Sequence, residues 1–202
     1  MHQNPVQPLI DQLSALPGIG QKSAERLAYF FLSLPQADVG RFTETLTHIR
    51  RHIRYCERCF NLSLSQYCSI CEDTSREANV LCVVAQPKDI GAIERMRQFQ
   101  GRYHVLGGLI SPLDGIHPEL LRINELQRRL SEEPVKEIIL AINPTVEGDA
   151  TILYLSSVLR QYSVTLSQLA YGLPMGANID YTDEITLRLA FDGRNPIQGA
   201  PQ

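Results

Sequence analysis

Four cysteines in the first half of the chain have the type and spacing needed to bind a metal ion. Cys56, Cys59, Cys68 and Cys71 form two Cys-x-x-Cys pairs. Each pair can place two thiolates on one side of an ion, and four thiolates complete the tetrahedron of structural zinc, with no position left open for water. The pattern predicts one structural Zn²⁺ ion per chain. The alternative is a disulfide framework, which paired cysteines form in secreted proteins.

A glycine turn near the N-terminus has the features of a phosphate-binding site. Gly18 and Gly20 stand directly before a helical pattern. Unpaired backbone N–H groups at such a turn, together with the positive end of the helix, bind anions. Lys22 and Arg26 are four residues apart, so they share a helical face and can contact neighbouring phosphates. We expect a salt-sensitive, sequence-independent contact with a DNA backbone. The alternative is an ordinary helical turn with a solvated basic face.

Three acidic residues beyond the cysteines form a third candidate site. Glu147 and Asp149 follow a predicted strand at 137–142, and Asp89 follows another at 80–84. Ligands bind open α/β sheets at the carboxyl ends of the strands, and carboxylates are usual magnesium ligands. These acids are too few to predict a catalytic metal pair. A magnesium or partner contact and a role in stabilising a helix start near residue 148 both stay open.

Three helices are predicted to position the glycine turn. The first covers 8–15. The second covers 21–34, where apolar residues recur three and four apart, and Pro35 ends it. Asp38 is predicted to cap the third helix, whose apolar positions continue to Ile53. This helix leads directly into the cysteines.

Predicted strands alternate with predicted helices from residue 79 onward. The strands cover 80–84, 103–106, 137–142 and 164–170, and the helices cover 89–99, 120–130 and 148–161. This alternation indicates a mostly parallel, Rossmann-like sheet. Cys82, in an apolar strand, is expected to pack as a small hydrophobic residue. A last helix is predicted at 183–191, followed by a tail from Gly193 that we expect to be mobile.

Composition and charge indicate a globular protein with an anionic partner. The chain has 202 residues, of which 44% are hydrophobic and 20% charged. No apolar run reaches membrane-spanning length, and the N-terminus lacks the pattern of a signal peptide, so we expect a cytoplasmic protein without a membrane partner. Residues 1–60 hold seven Lys and Arg against five Asp and Glu, whereas the whole chain has a net charge of −3. This asymmetry favours contact between the N-terminal part and an anionic polymer.

Residues 16–27 resemble the helix-hairpin-helix motif of DNA-repair proteins. A helix-hairpin-helix, a four-cysteine loop and an α/β domain, in this order, resemble the bacterial recombination mediator family RecR over nearly the whole chain. Further matching stretches lie at 103–108, 111–115 and 143–148. The α/β part is similar to the Toprim domain of topoisomerases and primases. Toprim enzymes place a Glu after the first strand, where this chain has Ala85 and Gln86, so the resemblance implies a scaffold and not a catalyst.

The resemblance implies an α/β multi-part fold with four segments. These are a helical region with the helix-hairpin-helix at 1–54, a four-cysteine zinc finger at 55–78, a Toprim domain at 79–175, and a C-terminal extension and tail at 176–202. It also implies a non-enzymatic mediator of recombinational DNA repair. In the family, this mediator acts with RecO and RecF to help load RecA onto single strands coated by single-strand-binding protein. It assembles as a homo-oligomer, typically a tetrameric ring.

Two alternatives remain at this point. A magnesium-dependent Toprim strand-cutting or primase-like enzyme would depend on Glu147. A zinc-ribbon adaptor that binds only proteins would not depend on Lys22 and Arg26. The glycine turn lacks the four-residue gap of a Walker phosphate loop, so no ATPase activity is predicted.

Overall fold

The computed structural model describes residues 4–194 and divides into two compact units. The division falls between Ile53 and Arg54. Most of the tail expected from Gly193 lies outside the described residues. The two units are described in turn.

The first unit consists of three helices. They are α1 (Gln7–Ser14), α2 (Gln21–Ser33) and α3 (Gln36–His52). Ile10 on α1 is buried against Ala24 and Ala28 on α2. Because alanine side chains are small, α1 and α2 can approach each other closely on either side of the glycine turn. The predicted helices at 8–15 and 21–34 are confirmed to within one residue at each end.

Helix α3 begins earlier than the sequence predicts and buries none of its residues within the chain. Pro35 stands at its N-cap position, so the prediction that Asp38 caps the helix is wrong. Asp38 lies in the first turn instead, where a carboxylate is favoured by the helix dipole, and its side chain pairs with Arg41.

The second unit begins with the metal loop, which we define as residues 54–73. Its two short strands, β1 (Arg54–Tyr55) and β2 (Leu62–Ser63), pair antiparallel, and a single-turn helix, α4 (Ser69–Glu72), follows. Neither the strands nor the short helix were predicted. Strands of two residues are too short to show an alternating pattern.

The rest of the second unit is a four-stranded parallel sheet with helices on both faces. The strands are β3 (Val80–Val84), β4 (Arg102–Val105), β5 (Glu137–Ala141) and β6 (Thr165–Gln168), in the order β4-β3-β5-β6. The helices are α5 (Pro87–Glu94), α6 (Ile123–Glu132) and α7 (Val146–Leu159). This architecture confirms the predicted α/β multi-part fold.

The residues of β3 alternate between the two faces of the sheet. Leu81 and Val83 pack in a core with residues of α6 and α7. Cys82 and Val84 face the opposite side, where Ile90 of α5 and side chains of the metal loop cover them. A parallel sheet covered on both faces has continuous apolar strands, which is the pattern that the sequence shows at 80–84. Cys82 is buried as predicted, and burial raises the pKa of its thiol to about 12.

Several boundaries differ from the prediction. Helix α7 covers Val146–Leu159 and not 148–161, and β6 ends at Gln168 and not at residue 170. Helix α5 ends at Glu94 and not at residue 99, because Arg97 adopts a positive φ of 55° and Phe99 turns inward to pack its ring 5.1 Å from that of Tyr103. Helix α6 starts at Ile123 and not at residue 120, because the preceding residues form the separate 3₁₀ turn Pro118–Leu120.

The C-terminal part contains a 3₁₀ turn, Ile179–Tyr181, and the helix α8 (Glu184–Asp192). The side chain of Asp183 caps α8 by accepting a hydrogen bond of 2.9 Å from the backbone N–H of Thr186. The predicted last helix at 183–191 is therefore confirmed, with Asp183 as its cap.

Candidate metal centre and nucleic-acid interface

The four predicted cysteine ligands meet at one point inside the metal loop. Their side chains are buried, and their Sγ atoms all lie within 4.8 Å of one another. Zn–S bonds of about 2.3 Å in a tetrahedron separate the sulfurs by about 3.8 Å, so the spacing fits one ion of this kind. The Sγ atoms of Cys59 and Cys68 are 3.5 Å apart, compared with about 2.05 Å in a disulfide, and all the cysteines are free thiols. The geometry is that of a metal site.

Backbone hydrogen bonds hold both Cys-x-x-Cys turns in this geometry. The carbonyl oxygen of Cys56 accepts from the N–H of Phe60 at 2.9 Å, and the N–H of Cys56 donates to the carbonyl of Asn61 at 2.7 Å. In the second turn, the carbonyl of Cys68 accepts from the N–H of Cys71 at 2.9 Å. Within the folded loop, these hydrogen bonds hold the two thiols of each turn close together.

The thiols influence one another strongly. Hydrogen bonds with Cys68 and Cys71, together with burial, raise the pKa of Cys59, whereas hydrogen bonds with Cys59 and Cys71 lower the pKa of Cys68. For Cys71, the hydrogen bond with Cys59 lowers the pKa, but the bond with Cys68 and burial outweigh it and raise the pKa to about 12. Protein groups alone therefore do not stabilise four thiolates side by side. A divalent cation does, because a coordinated thiol is deprotonated.

The metal loop packs against the edge strand of the sheet. The backbone N–H of Val105, in the edge strand β4, donates to the carbonyl of Cys59 at 2.8 Å. Phe60 packs its ring edge-on against His104 with the centroids 5.5 Å apart, and the guanidinium of Arg122 lies 4.8 Å above the Phe60 ring. Edge strands expose unpaired backbone groups, and the loop covers this one.

A buried polar network that the sequence did not reveal lies behind this contact. His104 is fully buried, and its Nε2–H donates to the carbonyl of Arg122 at 2.7 Å. Arg129 donates to the carbonyl of Tyr103 at 2.7 Å and forms a bidentate pair with Glu133 at 3.1 and 3.0 Å. Burial, and then the charge of Arg129, lower the pKa of His104 to about 3. His104 is neutral near pH 7 and has a structural role.

The predicted phosphate site in the first unit has an open geometry. Gly18 has a φ of +79°, a conformation that L side chains rarely adopt, and Gly20 stands at the N-cap of α2. No side chain caps α2, so none competes for the amides at its start. Lys22 and Arg26 are exposed on the outer face of α2, opposite its buried alanines, and form no ion pair within the described residues. The arrangement can accept an anion.

The three acidic residues lie at helix starts after parallel strands. Asp89 belongs to a capping box of α5, where its carboxylate accepts from the N–H of Gln86 at 2.8 Å. Glu147 and Asp149 lie in the first turn of α7, which Thr145 caps. Within residues 4–194, the four cysteines are the only group of three or more potential metal ligands whose ligand atoms all lie within 4.8 Å of one another. The structure thus divides these acids between two helices, and each lies where a carboxylate stabilises a helix start.

Comparison with known proteins places this sequence in a family. The model "RecR, helix-hairpin-helix" matches residues 6–50, the Toprim domain model matches 79–170, and the model "RecR, C-terminal" matches 172–195. A protein of Synechococcus sp. (strain CC9605) named Recombination protein RecR is 50% identical over 189 residues, which cover 94% of this chain and 98% of the relative. The chain belongs to the RecR family.

Other relatives agree. The proteins of that name from Streptomyces coelicolor and Thermobifida fusca are each 47% identical. The aligned regions cover 96% and 98% of this chain, and 98% and 99% of the respective relatives. The protein is therefore a member of a family of recombination proteins, with a helix-hairpin-helix and a Toprim domain. The four cysteines lie between the first two matched segments. Among the residues that the structure describes, no helix has the length and apolar character needed to span a bilayer.

Proposed function

We propose that this protein is a non-catalytic, DNA-binding mediator of recombinational repair that holds the sugar–phosphate backbone through its glycine turn. The observation that carries the proposal is the start of α2. The backbone N–H groups there are not capped by any side chain. The same helix start carries two exposed cations four residues apart, Lys22 and Arg26. Peptide N–H groups and cations bind the phosphates of a nucleic acid regardless of its base sequence.

Packing beneath the turn makes this contact rigid. Ala24 and Ala28 lie on the opposite side of α2 and are completely buried against α1. The packed helix pair therefore fixes the backbone positions from which Lys22 and Arg26 extend. Rigid presentation favours binding because little conformational freedom is lost on contact.

We further propose that the ion held by the four cysteines is Zn²⁺ with a purely structural role. Four thiolates are a donor set typical of structural zinc, and they leave no ligand position for substrate. By folding the metal loop, the ion would keep Phe60 and the Cys59 carbonyl in place on β4.

The proposed partners follow from the family. We propose that the protein acts with RecO and RecF to help load RecA onto single strands coated by single-strand-binding protein, and that it works in the cytoplasm. Glu147 and Asp149 are the candidate protein contacts, since both lie at the carboxyl end of the sheet. A homo-oligomeric ring, with four chains as the expected number, would present several glycine turns to one DNA molecule and raise the overall affinity.

The direct test is the affinity of the double variant Lys22→Ala/Arg26→Ala for a fluorescent DNA. Removing two phosphate contacts weakens binding by about 10- to 60-fold at 0.1 M salt. The matched control is Lys136→Ala/Arg160→Ala, which removes the same charge from exposed positions of the second unit. Equal affinities of the wild type and the Lys22/Arg26 variant would favour an adaptor that binds only proteins.

The non-catalytic character is supported by the residues after β3. Ala85 and Gln86 stand where a Toprim enzyme needs a carboxylate, and Gln86 is the N-cap residue of α5, where its backbone N–H donates to Asp89. Incubation with labelled DNA and magnesium is therefore expected to leave the DNA uncut and unextended. Cleavage or synthesis that Glu147→Gln abolishes would overturn this part of the proposal.

A further inference from the structure

A groove of about 500 Å³ separates the metal loop from the carboxyl ends of β3 and β4. We call it the loop–sheet groove. Six of its lining side chains carry the argument: Tyr55, Phe60 and Leu62 from the metal loop, and Lys88, Leu120 and Arg122 from the α/β part. None of these takes part in the contacts proposed for the glycine turn.

Exposed apolar side chains line both walls of the loop–sheet groove. Tyr55 and Leu62 are directly paired across the β1–β2 ladder, so their side chains lie on the same face, and they are 57% and 45% exposed. Leu120 is 68% exposed on the other wall. Large apolar side chains that converge in one place without burying one another mark a surface that a partner covers.

The charge of the groove identifies the partner as an anion. Its lining contains Lys88 and Arg122 and no carboxylate. Lys88 is exposed and lies in the first turn of α5. Arg122 also donates to Glu125 at 3.1 Å, outside the groove, so part of its charge is shared. An anion with flat apolar parts complements this combination.

Phe60 lies beneath Arg122 at the groove and has an unusual backbone conformation. Its φ of 62° lies in the left-handed region, which is unusual for a bulky residue. The ring lies beneath the guanidinium of Arg122 at 4.8 Å, which orients that group. A backbone conformation of this kind at a groove wall is consistent with a binding role.

We propose that the loop–sheet groove binds single-stranded nucleic acid by stacking a base on Tyr55. Leu62 and Leu120 would contact the base, and Lys88 and Arg122 would contact the flanking phosphates. Aromatic stacking combined with cations is the usual way of binding single strands. In a duplex the bases are stacked and paired, and their faces cannot reach Tyr55. The groove would thus add a preference for single strands that a backbone contact alone does not provide.

The test compares a fluorescent oligo(dT) with a duplex of equal length. Tyr55→Ala is expected to weaken oligo(dT) binding by about 5- to 150-fold, in line with the measured range for one stacked base, and to leave duplex binding unchanged. Tyr55→Phe keeps the ring and is expected to bind like the wild type. Lys88→Ala is expected to reduce the salt slope for oligo(dT) by about 0.7, whereas Lys136→Ala, at the opposite end of the sheet, is expected to leave it unchanged.

Photocrosslinking separates this proposal from that for the glycine turn. Oligonucleotides carrying 5-iodouracil are expected to crosslink to Tyr55 in the wild type and, at a DNA concentration raised to saturation, in Lys22→Ala/Arg26→Ala as well. Equal effects of Tyr55→Ala on oligo(dT) and duplex, or no effect on either, would overturn the groove proposal and leave the glycine turn untouched. Polyglutamate serves as a probe for an acidic peptide partner. If Tyr55→Ala abolishes polyglutamate binding but leaves oligo(dT) binding unchanged, the groove proposal is overturned in favour of an acidic peptide.

Discussion

The four ligand cysteines supply most of the interior of the metal loop. They form a buried cluster of their own, and the partly buried Tyr67 and Ile70 pack against it. A cluster this small buries little apolar surface, so the free energy of metal binding is needed to fold it. Cys59 has a second role, because its carbonyl accepts the hydrogen bond from β4.

Cys59→Ser is predicted to lower metal content and stability, with weaker DNA binding only as a secondary effect. The variant removes a thiolate but keeps the backbone bond to Val105. We expect a loss of about 3 kcal/mol, seen as a drop of about 6–12 °C in the thermal midpoint. Zinc content and thermal unfolding are the measurements. Cys82→Ser is the control, which is expected to lose stability while keeping one zinc per chain. A wild type without zinc and a variant of unchanged midpoint would contradict the prediction.

His104 makes stability depend on pH. Its folded pKa of about 3 lies below its unfolded value of about 6.5, so its contribution is present above pH 6.5 and is lost as the pH falls towards 3. Arg129 and the Arg122 carbonyl face its ring nitrogens, and Phe60 packs on its edge. Between pH 7.5 and 5.5 the loss from this group is about 1.4 kcal/mol. Urea unfolding at both pH values is expected to show a smaller pH effect in His104→Gln than in the wild type, and an equal effect would contradict this role.

At the level of elements, sequence patterns predict candidate sites where the residue types and their spacing are local. The cysteine pairs, whose Sγ atoms meet in the structure, and the glycine turn proposed to bind DNA are both of this kind. The network of His104, Arg129 and Glu133 was missed because its members are separated by up to 29 positions and meet only when β4 packs against α6. The residue type of Asp38 predicts an N-cap, but α3 starts three residues earlier, with Pro35 at the N-cap position. Boundaries that depend on tertiary contacts, such as the end of α5 at Glu94 before Phe99 turns inward, were not predictable.

The start of α7 depends on the absence of a side chain at Gly148. A Cβ atom there would lie 2.0 Å from the carbonyl oxygen of Asn143 and 3.2 Å from a side-chain atom of Ile142. Gly148→Ala is therefore predicted to destabilise the protein by about 2 kcal/mol or more, because backbone must move. Gly91→Ala in α5 is the control, since nothing lies within 4 Å of its Cβ, and it is expected to stabilise by about 0.5–1 kcal/mol. Equal unfolding free energies of the two variants would contradict this account.

At the level of the whole molecule, α3 leaves an apolar stripe uncovered. Phe42, Leu46 and Ile49 are spaced four and three residues apart along α3, Ile53 follows at its C-cap, and all four side chains are exposed. This spacing is typical of helices that pack against another helix. It supports the homo-oligomer proposed above, in which a second copy would cover the stripe.

Leu46→Glu is predicted to reduce the solution mass. A charge in the middle of the stripe would be buried without a partner in an oligomer, whereas in a single chain it remains in water. Light scattering coupled to size exclusion is expected to show several chains for the wild type and fewer for the variant, with the helical signal in circular dichroism unchanged. Leu113→Glu, at a fully exposed position of the second unit, is the control. A wild-type mass of one chain would contradict the oligomer.

The most direct test of the central claim is the salt dependence of DNA affinity. If Lys22 and Arg26 each hold a phosphate, the plot of log affinity against log salt concentration becomes shallower by about 1.8 for duplex DNA, or about 1.4 for single strands, in Lys22→Ala/Arg26→Ala. These changes in slope are for one chain in contact with the DNA. Lys136→Ala/Arg160→Ala is expected to keep the wild-type slope. A double variant at the glycine turn that retains both the slope and the affinity of the wild type would contradict the claim.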